Sequence, residues 1–389
     1  VEIIGSDSPV VTLFAKASRV TRHAEILSGK PTPREFFYGY FHLLEAGMPT
    51  SLCTFSGPVA GLRGAIANAV ERVLVALSGV GARPLSLRLR YPGFSGSKVL
   101  ISCVDGISLS LGLSRLPPAT VRIAGFQGLS DIERKAGLAR PVAHMLVLHI
   151  LRRFDHVFFL SPADREQAIE RYALERDRTT LMPFCVDTEF WCPDSGAGHE
   201  DWVFAVGQDP NRDFDTLARA QGRHATKILT RLAVDLPKDA SHIEVRAGGF
   251  SDKRGVTDVE LRDLYRRALC VVVPLKDSFQ PSGQSVTLQA MACGKPVILT
   301  RTRGFWDAEG LRDGENCILV EPSDAGAIGN AISRLKADPD LARRISAAAR
   351  ATAVERYDLS LMGREFVRLA QLGLSIAAKR ERANGGQVR

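Results

Sequence analysis

No apolar run in this chain approaches the ~18–20 residues that a membrane-spanning helix needs. The most apolar helix candidate, residues 141–151, contains His144 and His149 and is followed by Arg152 and Arg153, so a buried or interfacial helix is expected there. Cysteine is sparse: seven residues, an odd number, with no C-x-x-C pair. That argues against a disulfide frame or a zinc site and fits reduced thiols in a cytoplasmic setting. There is no G-x-x-x-x-G-K-[ST] phosphate loop, no G-x-G-x-x-G after the first strand, no H-E-x-x-H and no G-x-S-x-G. The basic residues are not clustered with aromatics, so nucleic-acid binding is not expected. The chain begins at Val1, with no initiator Met and no signal-peptide pattern, so a trimmed start is expected.

What is present is the composition of a soluble globular protein, 45% hydrophobic and 24% charged over 389 residues, enough for two domains. A net charge of +8 has two readings. One is attraction to anionic lipid headgroups or an anionic acceptor; the other is a basic, solvated surface.

Residues 268–300 organise the rest. Cys270-Val271-Val272-Val273 and Val297-Ile298-Leu299-Thr300 read as buried strands, with a helical pattern over residues 284–292 between them. A strand–helix–strand unit implies a parallel sheet, and ligands bind beyond the carboxyl ends of such strands. There the helix opens at Ser282-Gly283-Gln284-Ser285, where free N–H groups and the helix dipole favour an anion. Gly283 lets a phosphate approach the backbone. Ser285 and Gln289, four apart, share one helix face.

The run Ser282-Gly283-Gln284-Ser285-Val286-Thr287-Leu288-Gln289-Ala290-Met291-Ala292 resembles the donor-binding segment of retaining GT-B glycosyltransferases, in particular glycosyltransferase family 4. The resemblance implies two Rossmann-like doubly wound α/β domains facing across a cleft. It also implies a nucleotide site at Ser282, Gly283, Gln284, Ser285, Val286 and Gln289. The family has a glutamate at each of two positions that here hold Pro281 and Gln289; Gln289 keeps an amide that can hydrogen-bond ribose hydroxyls. Residues 202–217 resemble the family's strand-Gly-Arg turn, whose two cations bind the donor diphosphate. Arg212 matches the second; Gln208, after Gly207, replaces the first.

In chain order, strands are expected at residues 10–14, 50–55, 98–103, 121–125, 154–160 and 180–182, then at 202–206 and 242–245. Thr32 and Glu35 form a capping-box pattern for a helix over residues 33–45. Residues 63–78 read as amphipathic, with Ile66, Val70, Val73, Leu74 and Leu77 at helical spacing. Asp324 is expected to cap a helix that continues past Lys336. The domains expected are an acceptor-side domain at 1–192, a linker at 193–200 and a donor domain at 201–359. A helix at 360–389 would cross back to the first domain, frayed from Ala383.

The implied reaction moves a sugar from a nucleotide-diphosphate sugar to a glycan, glycolipid or other acceptor with retention, without metal or other cofactor. Arg212 and the helix start would stabilise the leaving diphosphate. Gln127 stands nearest to the family's sugar-facing histidine, and Asp105 is a second strand-end candidate. His144 and His149, five apart, suit no metal pair. The expected setting is the cytoplasm or the inner face of the plasma membrane, in polysaccharide, glycan or glycolipid assembly. Two other readings stand beside this one: a GT-B nucleotide-sugar epimerase, and a non-catalytic nucleotide-binding or scaffold protein of the same fold.

Overall fold

The computed structural model describes residues 3–15, 19–54, 59–91, 96–194, 196, 200–248 and 255–385. Residue 55 of the strand expected at 50–55 and linker residues 195 and 197–199 lie outside them. The chain forms two compact units. Val1–Ala24, Phe36–Met182 and Met362–Arg389 make the first; Glu25–Glu35 and Pro183–Leu361 make the second.

The first unit contains β1 (Ile3–Gly5), β2 (Val11–Ala15), β3 (Thr50–Thr54), β4 (Val99–Ser102), β5 (Val121–Phe126), β6 (His156–Phe159) and β7 (Thr179–Leu181). Its sheet runs β1-β3-β2-β4-β5-β6-β7, with β1 antiparallel at one edge and the other pairings parallel. β2, β3, β4 and β6 are buried at every position. Helices cover both faces of such sheets, which is why β2, β4 and β6 read as apolar runs and not as alternations. The helix Asp105–Leu113 is tied to the sheet by Ser108, whose Oγ lies 2.7 Å from Ser102 Oγ and donates to the Gly125 carbonyl at 2.8 Å.

Three expectations for this part of the chain change. The helix over residues 33–45 is broken into a 3-10 turn, Glu35–Phe37, and a short helix, Tyr40–Glu45. Tyr38 between them takes φ +53°, and Gly39 passes under Phe366, which a Cβ would meet at 2.1 Å. The capping box does not form: Thr32 Oγ1 donates to Lys30 O, and Glu35 is used elsewhere. The helix Gly61–Ser78 exists, but it buries the small and polar residues Gly64, Ala67, Glu71 and Ser78. Of the residues at helical spacing, Leu74 packs against the core, while Ile66, Val70, Val73 and Leu77 face outward. The helix Leu359–Gly385 runs on through Ala383, and residues 386–389 lie outside the described set.

The second unit contains β8 (Val203–Val206), β9 (Thr226–Leu229), β10 (Ile243–Arg246), β11 (Cys270–Val273), β12 (Val297–Thr300) and β13 (Ile318–Val320). Its order is β10-β9-β8-β11-β12-β13, parallel throughout. In chain order that is 3-2-1-4-5-6, the doubly wound arrangement, and the direction of winding reverses between β8 and β11. Phe204, Val206, Val271, Val273, Leu288 and Met291 belong to the core beneath that point. Asp324 caps the helix Ala325–Ala337 by accepting from Ala327 N at 2.7 Å.

Candidate functional site

At a winding reversal, the loops leaving adjacent strands diverge and leave a crevice beyond the strand ends. Here the loops after β8 and β11 are stitched together. Asp213 N donates to Pro274 O at 3.0 Å and Lys276 N to Asn211 O at 2.8 Å, with Arg212 and Leu275 paired between them. Asn211 Nδ2 lies 3.1 Å from both Gln280 Oε1 and Ser282 Oγ. The helix Gln284–Ala292 follows. Its N-cap, Gly283, has φ +85°, a conformation suited to glycine, and no side chain caps it. The first-turn N–H groups are thus left to backbone, solvent or an anion.

Arg212 sits in this crevice, only 7% exposed. Its guanidinium lies across Gly207: a Cβ there would stand 2.3 Å from Nε, and one on Gly283 would stand 3.3 Å from Nη1. Nε and Nη1 are buried without a hydrogen-bond partner. Burial draws its pKa down, while Asp209 and Tyr265 act the other way. A guanidinium stays charged under these conditions, and an unpaired buried charge is costly unless an anion joins it. Thr287, in the first helical turn, also has a fully buried hydroxyl without a partner.

The structure therefore brings Arg212 against Gly207 and Gly283 and links Ser282 to the neighbouring loop, with Gln284 and the half-buried Ser285 following at the helix start and Val286 packed into the core below. Two expected ligand residues do other work. Gln208 braces the loops: its Nε2 donates to Gly248 O and its Oε1 accepts from Arg231 N. Gln289 is fully buried; its Oε1 accepts from Tyr265 Oη at 3.2 Å and its Nε2 donates to Glu35 Oε1 at 3.0 Å. An amide engaged at both ends inside a core is not presented to a ribose.

Glu35 is the residue that sequence reasoning missed. Its carboxylate also accepts from Trp191 Nε1 at 2.7 Å, and Asp187 N approaches at 3.4 Å. Burial, reinforced by the Asp187 carboxylate, pushes its pKa up to about 7, against the pull of Trp191 and Gln289. A carboxyl thus stands beside position 289, supplied by a segment 254 residues away. No local pattern announces it.

In the first unit, Gln127 N donates to Asp105 Oδ1 at 2.7 Å, and Gln127 Nε2 donates to Cys103 O at 3.0 Å. The pair joins the ends of β4 and β5. Burial raises the pKa of the neighbouring Tyr38 phenol, while Arg19 and Gln127 favour its ionised form. Arg212 belongs to the other unit, so the three expected catalytic residues do not form one cluster within either unit. His144 Nδ1 lies 2.8 Å from Glu133 Oε1, which also accepts from Tyr172 Oη at 2.5 Å, a structural hub. Among the described residues, no group of three or more His, Cys, Asp or Glu could hold a metal ion. No described helix is long and apolar enough to cross a membrane.

The family described as Glycosyl transferases group 1 matches residues 203–338. An alpha-maltose-1-phosphate synthase of Mycolicibacterium smegmatis is 26% identical over 303 residues, 69% of this chain and 73% of the relative. A D-inositol 3-phosphate glycosyltransferase of Acidothermus cellulolyticus is 37% identical over 205 residues, 46% of this chain and 44% of the relative. Among solved structures, sucrose-phosphate synthase from Thermosynechococcus elongatus superposes with a TM-score of 0.65 at 17% identity, covering 94% of this chain and 99% of its own. Anabaena HepE, solved with UDP and glucose, gives 0.63 at 14%, covering 93% and 99%. Identities this low speak for the fold alone, and that fold is GT-B. The chain is a GT-B protein that carries a Glycosyl transferases group 1 domain in residues 203–338 and resembles glycosyltransferase family 4.

Proposed function

We propose that this chain transfers a sugar from a nucleotide-diphosphate sugar to a glycan or lipid-linked acceptor, with retention of configuration and without a metal. The observation that carries this reading is Arg212, a buried guanidinium with two unpartnered nitrogens, set against Gly207 and Gly283 at an uncapped helix start. As the bond from the sugar's anomeric carbon to the diphosphate breaks, negative charge grows on the leaving oxygen. Arg212 and the first-turn N–H groups would stabilise that charge. The acceptor oxygen bonds to the anomeric carbon on the same face and gives its proton to the departing diphosphate. The chain's own residues then need to bind and polarise, not to supply a strong base. The fully engaged Gln289 favours a second reading, a nucleotide-binding scaffold without activity. Action in the cytoplasm, with a peripheral contact to the inner membrane face, belongs to the leading proposal.

Calorimetric titration with UDP, GDP, ADP and CDP tests it, repeated on Arg212→Ala and Gly283→Trp. One diphosphate is expected to bind, with at least tenfold weaker binding in both variants, about the worth of one charge-assisted phosphate contact. A folded protein that binds none of the four refutes the donor site. Diphosphate binding without turnover of any nucleotide sugar supports the scaffold.

A further inference from the structure

The helix Gly61–Ser78 is turned inside out. At ~100° per residue, Leu62, Ile66, Val70, Val73 and Leu77 fall within an arc of about 80°. Each of them is between 51% and 80% exposed. The side facing the protein carries Gly64, Ala67, Glu71 and Ser78, with Leu74 packed on the core at its edge. From Leu62 to Leu77, a stripe about 22 Å long at 1.5 Å per residue is thereby left in water, and an apolar stripe of that length on a water-facing surface signals a partner.

Charge identifies the partner's chemistry. Arg63 and Arg72 flank the stripe, one on each side, and Arg83 and Arg88 follow on the connected loop and the helix Pro84–Arg90; all four are exposed. The single carboxylate in residues 61–90, Glu71, is buried and bonded through both oxygens to the Ser86 amide and hydroxyl. Beside the helix runs a groove of about 520 Å³ lined by Ala65, Asn68, Glu71, Arg72, Val75 and Arg83. A second copy of this chain would bring the same cations to the interface, where like charges repel. An anionic bilayer surface accepts both features: acyl chains take the stripe, and phosphates take the arginines.

We propose that the helix Gly61–Ser78 docks this protein onto an anionic lipid surface, lying in the interface plane with Leu62, Ile66, Val70, Val73 and Leu77 inserted and Arg63, Arg72 and Arg83 on lipid phosphates. This deepens the membrane contact proposed above and rests on that reading only for where the protein works. Its test needs no sugar donor. The full chain is floated with vesicles of phosphatidylcholine alone or mixed equally with phosphatidylglycerol. Wild type is expected to float with the mixed vesicles only, and added salt weakens this association. Ile66→Glu with Val73→Glu, and Arg63→Gln with Arg72→Gln, are each expected to lower binding roughly tenfold or more. All four positions are exposed, so circular dichroism unchanged from wild type is expected.

The proposal is overturned by no flotation of folded wild type, by equal flotation of the double variants, or by a dilution-sensitive dimer abolished by Ile66→Glu without vesicle binding. Release by free inorganic phosphate, with no dependence on the stripe, would assign the arginines to a soluble anion and overturn it equally. Diphosphate titration of the same samples separates the two proposals. Lost flotation with intact UDP or GDP binding sinks the docking alone, and the converse sinks the donor site alone.

Discussion

Replacing Glu35 by Gln tests the buried network of the second unit. In the folded protein the Glu35 carboxyl has a pKa of about 7, against an ordinary 4.5, because burial and Asp187 both disfavour its charge. Between those values the folded state holds a proton that the unfolded chain has released. Stability therefore falls as pH rises through that window. The full penalty is about 3 kcal/mol, reached above pH 7, at roughly 1.4 kcal/mol per pH unit on the way. Gln keeps an oxygen for Trp191 Nε1 and places no charge beside Asp187. At pH 5 the two proteins are expected to be nearly equal in stability. At pH 8 the variant is expected to be more stable by about 3 kcal/mol, or roughly 6–12 °C in Tm for a unit of this size. All three tryptophans, Trp191, Trp202 and Trp306, lie in the second unit, so urea unfolding followed by tryptophan fluorescence reports on it. A difference between the proteins that stays constant from pH 5 to 8 would refute the reasoning.

Other perturbations follow from the same crevice and its supports. Arg212→Met removes a buried charge with two unpartnered nitrogens. It is expected to raise the stability of the ligand-free protein by about 1–3 kcal/mol while abolishing diphosphate binding, read by thermal melts with and without nucleotide. Gly283→Ala forces a side chain into φ +85° and sets its Cβ 2.8 Å from Val273 Cγ1. A loss of about 1–3 kcal/mol is expected, together with weaker nucleotide binding. Arg350 Nη1 donates to the carbonyls of Thr188, Trp191 and Ala292 at 3.1, 3.0 and 2.8 Å. Arg350→Met is expected to cost about 3 kcal/mol in urea unfolding with no change in vesicle flotation.

Much of the architecture was legible because its signals are local. β11, the helix Gln284–Ala292 and the Asp324 cap stand where apolar runs, Gly283 and the cap pattern put them. β1, β9 and β13 went unread: Ile3–Gly5 and Ile318–Val320 have three residues each, and Thr226-Lys227-Ile228-Leu229 carries a lysine inside a run of four. The broken helix near residue 38 escaped because its cause is distant. Phe366 fills the space above Gly39, and Glu35 is drawn to Trp191 and Gln289. Amphipathic periodicity located the helix Gly61–Ser78 but did not say which side meets the protein. Glycine and alanine at positions 64 and 67, with a carboxylate that finds Ser86, decided that. At the crevice, Gly207, Arg212 and Gly283 were readable from their turn. The engagement of Gln208 and Gln289 was not, since Gly248, Tyr265 and Glu35 are remote in sequence.

The segment Glu25–Glu35 belongs to the second unit, although the chain on either side of it belongs to the first. On the ribosome this has a consequence in time. Glu35 emerges 254 residues before Gln289, its most distant hydrogen-bond partner. At ~5–20 residues per second that separation is roughly 13–50 s. Throughout that interval its side chain is a solvated, ionised carboxylate at neutral pH, and its hold on a proton rises only as it enters the finished core. A fragment that starts at Pro183 would lack that carboxyl, leaving the Trp191 indole and the Gln289 amide without their partner. The second unit completes its interior only in a chain that has kept its own beginning.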